Sequence, residues 1–168
     1  MGAILVPFLL LCLFGTSTSL RLSYTDCGTA AMHELYRVKE VSQEPDQPSV
    51  PGDVTLAVAG EVFRSVDCAT FSAKVTYGFK IFGKSVAVTV GNLKGMNICD
   101  YLISGECPLV GSAGLQFTKP LPWFTPRKVY DVHITAETCD GQPFACVDLR
   151  MDLSGNGNGV EENDLPIS

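Results

Sequence analysis

Ala73-Lys74-Val75-Thr76-Tyr77-Gly78-Phe79-Lys80-Ile81, the turn Phe82-Gly83-Lys84, and then Ser85-Val86-Ala87-Val88-Thr89-Val90 form the stretch from which the fold is read. Ala73, Val75, Tyr77, Phe79 and Ile81 alternate with Lys74, Thr76, Gly78 and Lys80. A period of two is the signature of a strand with one buried and one wet face. The second run sets Val86, Val88 and Val90 against Ser85, Ala87 and Thr89, so the two segments are expected to pair as a hairpin.

The same pattern recurs on either side. Val54, Leu56 and Val58 follow the breaker Pro51-Gly52; Tyr130, Val132, Ile134 and Ala136 alternate with Asp131, His133, Thr135 and Glu137; Val147, Leu149, Met151 and Leu153 alternate with Asp148, Arg150 and Asp152. No stretch of ten or more residues carries a capped helical period. Seven or eight short strands separated by Gly/Pro turns predict an all-β chain, two antiparallel sheets packed face to face. Gly111-Ser112-Ala113-Gly114 reads as a flexible turn; it lacks the Gly-x-Ser-x-Gly order of a nucleophile elbow.

The ends read differently. Ala3 to Phe14 is an unbroken apolar run of 12 residues, too short to span a bilayer, and small residues from Gly15 to Ser19 follow it. Residues 1–19 are therefore expected to be a signal peptide cleaved after Ser19, although no Lys or Arg precedes the run. Residues 154–168, rich in Gly, Asn and acid, have almost nothing to bury and are expected to be disordered. That leaves 20–153 as one domain, enough for a real core and too little for two.

Export makes the cysteines a disulfide framework, because an even count in an oxidising compartment forms bridges whereas cytosolic thiols more often bind metal or catalyse. Six remain beyond the signal, at 27, 68, 99, 107, 139 and 146, allowing fifteen connectivities. No Cys-x-x-Cys pair exists, and His33 and His133 stand in no metal-ligand spacing. Asp152, Ser154, Asn156, Gly157 and Asn158 approach a calcium loop, but Asn163 stands where its glutamate belongs. Neither catalysis nor a metal nor another cofactor is expected. No Asn-x-Ser/Thr sequon is present. A net charge of −6, with twelve basic residues scattered along the chain, argues against nucleic acid.

Asp26-Cys27-Gly28, Pro51-Gly52 before a strand, Cys99 to Cys107-Pro108, Leu121-Pro122 to Pro126 leading into a strand, and Asp140-Gly141 to Cys146 together resemble the ML lipid-recognition domain. That family includes Niemann-Pick-type sterol-transfer proteins and fungal phosphatidylglycerol/phosphatidylinositol transfer proteins. The resemblance runs from about Tyr24 to Leu153. It implies an Ig-like β-sandwich with a lipid cavity between its sheets, and a lipid-binding and transfer protein that takes a sterol or phospholipid. It also implies the bridges Cys27 to Cys146 and Cys99 to Cys107, which leave Cys68 and Cys139 to pair by elimination.

On that resemblance the cavity is expected to be lined by Val58, Val75, Tyr77, Phe79, Val88, Leu121, Trp123, Phe124, Tyr130, Val132, Ile134, Val147 and Leu149. Trp123 and Phe124, in a proline-stiffened segment that flanks the mouth in the family, are the residues to touch a membrane in transit. The alternative is that both cap the core. Tyr101 and Lys119 are polar groups placed near the expected mouth. The expected partners are the lipid, a membrane surface met transiently, and a lumenal membrane protein as acceptor, for a monomer that is secreted or delivered to a lysosome or vacuole. An extracellular recognition or adhesion module with a filled core is the competing reading, and a lipid-presenting co-receptor or activator is another. Net acidity further predicts that anionic membranes repel the protein less near pH 5 than at pH 7.

Overall fold

The computed structural model describes residues 22–154; the expected signal segment, and the expected tail beyond Ser154, lie outside the described residues. In chain order the elements are β1 (Leu22–Asp26), the single helical turn α1 (Ala30–His33), β2 (Tyr36–Glu44), β3 (Gly52–Val66), β4 (Ala69–Ile81) and β5 (Lys84–Asn97). A 3-10 turn (Ile98–Tyr101), β6 (Leu102–Ser104), β7 (Leu109–Leu121), β8 (Val129–Thr138) and β9 (Pro143–Asp152) complete the chain. They form an Ig-like sandwich of two antiparallel sheets, ordered β1-β9-β8-β4-β5 and β2-β3-β7-β6.

The expected hairpin is β4–β5, with Tyr77 opposite Val88, Phe79 opposite Val86 and Ile81 opposite Lys84. Its two turn residues, Phe82 and Gly83, have φ of 49° and 74°, the left-handed pair that a tight hairpin needs. Val90 departs from the expected face. Val75 faces Gly91 while Thr76 faces Thr89, so Val90 is the extra residue of a bulge and stands exposed.

Two other expectations are corrected. Gly111 to Gly114 is not a turn but part of β7, paired with β3 from Val62 to Ala59. Alternation is hidden there because Gly and Ala carry too little side chain to mark a face. β1, β2 and β6 were not marked by an alternating run, and α1 is a single turn started by Thr29, whose hydroxyl accepts from the Met32 amide.

The interior runs the length of the sandwich as three clusters. Tyr36, Val62, Phe71, Ile98, Leu109 and Phe144 fill one end. Leu56, Val132, Val147 and Leu149 fill the middle, and Val54, Leu121, Tyr130, Met151 and Leu153 the other end. At the first end the Tyr36 phenol lies over Gly60, where a Cβ would collide with the ring and with the Arg37 carbonyl. Glycine here is what lets the ring lie flat on the sheet.

Disulfides join Cys27 to Cys146, Cys68 to Cys139 and Cys99 to Cys107. They lie toward one end. Cys68 and Cys139 sit in the β3–β4 and β8–β9 connections, Cys99 and Cys107 flank β6, and Cys27 follows β1 where the Cys27 amide donates to the Cys146 carbonyl. The opposite end, holding the β2–β3, β4–β5 and β7–β8 connections, has none of these bridges.

In the chain-entropy account a bridge contributes more the longer the loop it closes, so the pair 119 residues apart is worth about 5 kcal/mol and the pair 8 apart roughly 2.5 kcal/mol. Urea unfolding of Cys27→Ser/Cys146→Ser is expected to show the larger loss, and Cys99→Ser/Cys107→Ser the smaller.

Candidate functional site

The tied end holds a small cavity between the sheets, of about 40 Å³. Val58, Val62, Leu109, Ala113, Leu115 and Phe117 wall it from the four-stranded sheet. Phe71, Ile134, Ala136, Phe144, Ala145 and Val147 wall it from the five-stranded sheet, Tyr36 from β2, and Ile98, Tyr101 and Leu102 close the side. Within this wall Phe71 lies edge-on to Tyr101 at 5.2 Å and stacks near Phe117 at 6.2 Å. Only Tyr36 and Tyr101 bring a polar side-chain atom to this wall. Such a space suits hydrocarbon and offers no acid, base or nucleophile.

A cavity of this size holds a few waters, whereas pockets for organic ligands start near ~300 Å³. A lipid chain therefore fits only if the sheets part. β4 shows where they are least held together. From Phe71 and Ala73, both buried, the inward face runs through Val75, Tyr77 and Phe79, each half-buried, to Ile81, which is exposed. The cause is the strand opposite. β6 is three residues long and pairs with β7 only at Leu115 and Gly114, so nothing in its row covers the outer half of β5.

Of the thirteen expected lining residues, Val58, Ile134 and Val147 wall the cavity. Leu121, Tyr130, Val132 and Leu149 are buried in the middle and open-end clusters, with Val75 and Tyr77 packed against them. Phe79 touches the Tyr77 ring at 6.2 Å, and Val88 is half-buried opposite Tyr77. Trp123 and Phe124 are corrected: neither walls the cavity nor caps the core, and they stand 80% and 67% exposed in the loop at the open end. The prolines that stiffen this loop hold it beyond the last β7 pairing, Gly52 with Leu121, away from the interior. Lys119 is exposed on β7, and Tyr101 walls the cavity. Alternation misses Phe71, Ile98, Tyr101, Leu109, Phe117 and Phe144; nearness to a cysteine marks all of these but Phe117.

Burial, helped by the nearby Asp26 carboxylate, pushes the Tyr36 hydroxyl up to about 12, so it stays neutral beside the cavity. Burial raises Asp26 too, but its bonds from His33 (3.0 Å) and the Gly28 amide (2.8 Å) outweigh that and hold it below the usual carboxylate range. His133 pairs with Asp148 at 2.6 Å on the outer face. His133 also comes within ligand distance of Cys27 and Cys146, but their sulfurs are bonded to each other, so no thiolate is left to hold a metal.

The model of the family described as ML domain matches residues 21–153. A phosphatidylglycerol/phosphatidylinositol transfer protein of Mycosarcoma maydis is 29% identical over 138 residues, covering 76% of this chain and 64% of that protein. One of Cryptococcus neoformans is 27% identical over 141 residues, covering 78% of this chain and 70% of that protein. The chain thus spans about two thirds of the length of these relatives. Among solved structures, a Niemann-Pick type C2 protein from Japanese carpenter ant superposes with a TM-score of 0.52 at 18% identity, over 77% of this chain and 98% of that one. That likeness is one of fold.

Phe71 joins the aromatic contacts across the cavity, so Phe71→Ala is expected to cost about 3–5 kcal/mol, read from denaturant unfolding.

Proposed function

The chain belongs to the ML domain family, and from that premise we propose that it binds a lipid between its sheets and carries it from one membrane to another. The observation that carries this reading is the wall of the cavity, hydrocarbon on both sheets, with Phe71 of β4 in it and the half-buried Val75, Tyr77 and Phe79 following on the same face of that strand. The names of the relatives favour a phospholipid; a sterol is the other ligand the cavity chemistry admits.

The mechanism is one of shielding. An acyl chain or ring system leaving a bilayer for this cavity exchanges one apolar surrounding for another, so most of the ~0.8 kcal/mol per methylene is present on both sides. The net preference is small, which suits a carrier that must also release its load. The lipid slides along Ile81, Phe79, Tyr77 and Val75 toward Phe71, parting the sheets at the end without disulfides while the tied end keeps their register. The headgroup stays outside, near the exposed end of β4. No catalytic group, metal or cofactor takes part, and a monomer suffices. Three disulfides suit an oxidising compartment, outside the cell or in the lumen of a lysosome or vacuole. A lumenal membrane protein as acceptor is compatible with this route and is not required by it.

Solvent extraction of the purified protein followed by mass spectrometry is expected to release about one lipid per chain, and fluorescent phosphatidylglycerol or sterol is expected to move between vesicles. Ala113→Leu puts a larger side chain into the cavity; displacing it carries an overpacking penalty of about 1–3 kcal/mol, so transfer is expected to fall about tenfold with the thermal midpoint little changed. A lipid-free extract with no transfer overturns the carrier in favour of a recognition module with a filled core.

A further inference from the structure

The charge of this acidic chain is not evenly spread. Residues 68–99 and 107–130 hold seven of its twelve Lys and Arg residues and not one Asp or Glu, against a net charge of −6 for the whole. The first segment folds as β4–β5, the second as β7 with its following loop. Register brings their ends together. β4 pairs with β8 as far as Tyr77 opposite Tyr130 and then continues to Ile81, so its turn projects at the end where β7 leads through Trp123 and Phe124 into β8. Lys80, Lys84, Lys119, Arg127 and Lys128 share that end, and all are exposed. The acids there are Glu44 at the end of β2, Asp46 in the β2–β3 connection, Asp53 in β3 opposite Pro120, Asp152 at the end of β9 opposite Val129, and Asp131 near the start of β8; all but Asp131 lie on the β1/β2 side of β7 and β8, and none lies on the β4–β5 hairpin.

Large apolar side chains lead this cationic end. Phe82 is fully exposed at the hairpin tip, and Trp123 and Phe124 pack edge-to-face at 5.7 Å on the neighbouring loop. Phe82 also occupies the left-handed region, φ 49°, where a tight hairpin turn ordinarily has Asn or Asp. Its ring gains no packing that offsets this backbone cost, and such strain marks residues held for function rather than for folding.

We propose that this end of the sandwich docks on a bilayer carrying anionic headgroups, with Phe82, Trp123 and Phe124 in the interface and the lysines and arginine at phosphate level. A bilayer fits better than a protein partner. The apolar groups sit on separate convex tips ringed by lysine, whereas protein interfaces form a continuous core depleted in lysine; aromatic tips with basic neighbours are the pattern of interfacial anchors. The acids on the β1/β2 side tilt the molecule, so the β4–β5 hairpin approaches first and presents the inner face of β4 to the lipid. The inference rests on the carrier reading for its purpose. It reverses the expectation from net charge, since the approaching face is cationic at neutral pH and needs no acidification to meet an anionic surface.

Trp123, the only tryptophan, is a built-in probe. Mixing the protein with phosphatidylcholine vesicles containing phosphatidylglycerol is expected to shift its emission to the blue, with little shift for phosphatidylcholine alone and reversal by high salt. Removing two surface charges by Lys80→Gln/Lys84→Gln is expected to weaken that binding by about 25-fold, fivefold per residue. Phe82→Asn suits the turn better, so its thermal midpoint should hold or rise while vesicle binding falls about tenfold. Equal binding to neutral and anionic vesicles, or wild-type binding by both variants, overturns the proposal. Docking as described without any lipid transfer supports this face and overturns the carrier; transfer without docking by this end overturns this face alone.

Discussion

Two sheets joined by three crossovers at one end and by one at the other is the constraint from which the rest follows. All three disulfides lie toward the end where β3 turns into β4, β8 into β9, and β5 passes through the 3-10 turn to β6. Each of the three cross-sheet connections at that end carries one of the bridged cysteines, Cys27, Cys68 and Cys99. The opposite end is held by one crossover, the β7–β8 connection, by the bond that Arg127 donates to the Val50 carbonyl, and by packing, chiefly of Val54, Leu121, Tyr130 and Met151. Apolar packing is non-directional, so a hydrocarbon guest can replace one set of contacts there with another.

The short strand β6 supplies the second half of the device. A fourth full-length strand would cover the inner face of β5 and finish an ordinary filled core. Three residues do not, and the inward side chains of β4 grade from buried at Phe71 to bare at Ile81. β4 thus runs from the apolar wall of the cavity at Phe71 to a cationic, aromatic tip. Capture, shielding and docking then become one path along a single strand, with the strained Phe82 turn at its outer limit.

Much of this was legible in the chain. Alternation in 73–81, 130–136 and 147–153 identified β4, β8 and β9 together with their buried faces, because a period of two is fixed by backbone pleat and needs no partner. It failed where the side chains are too small to signal, as in Gly111 to Gly114, and where a bulge inverts the phase, as at Val90. For Trp123 and Phe124 the sequence marks a proline-stiffened loop at the mouth but not that both rings turn outward from the cavity, since hydrophobicity does not say which way a loop turns.

The sequence by itself determined the sandwich, the family and the apolar character of the interior, all properties carried by short-range pattern and by spacing along the chain. Only the tertiary structure decided that the disulfides share one end, that the cavity is a small space around Phe71, and that lysines scattered along the sequence converge beside Phe82 and Trp123. The physical reason is the antiparallel topology: each strand reverses direction, so residues tens of positions apart meet at the same edge, and no local pattern records which edge that is.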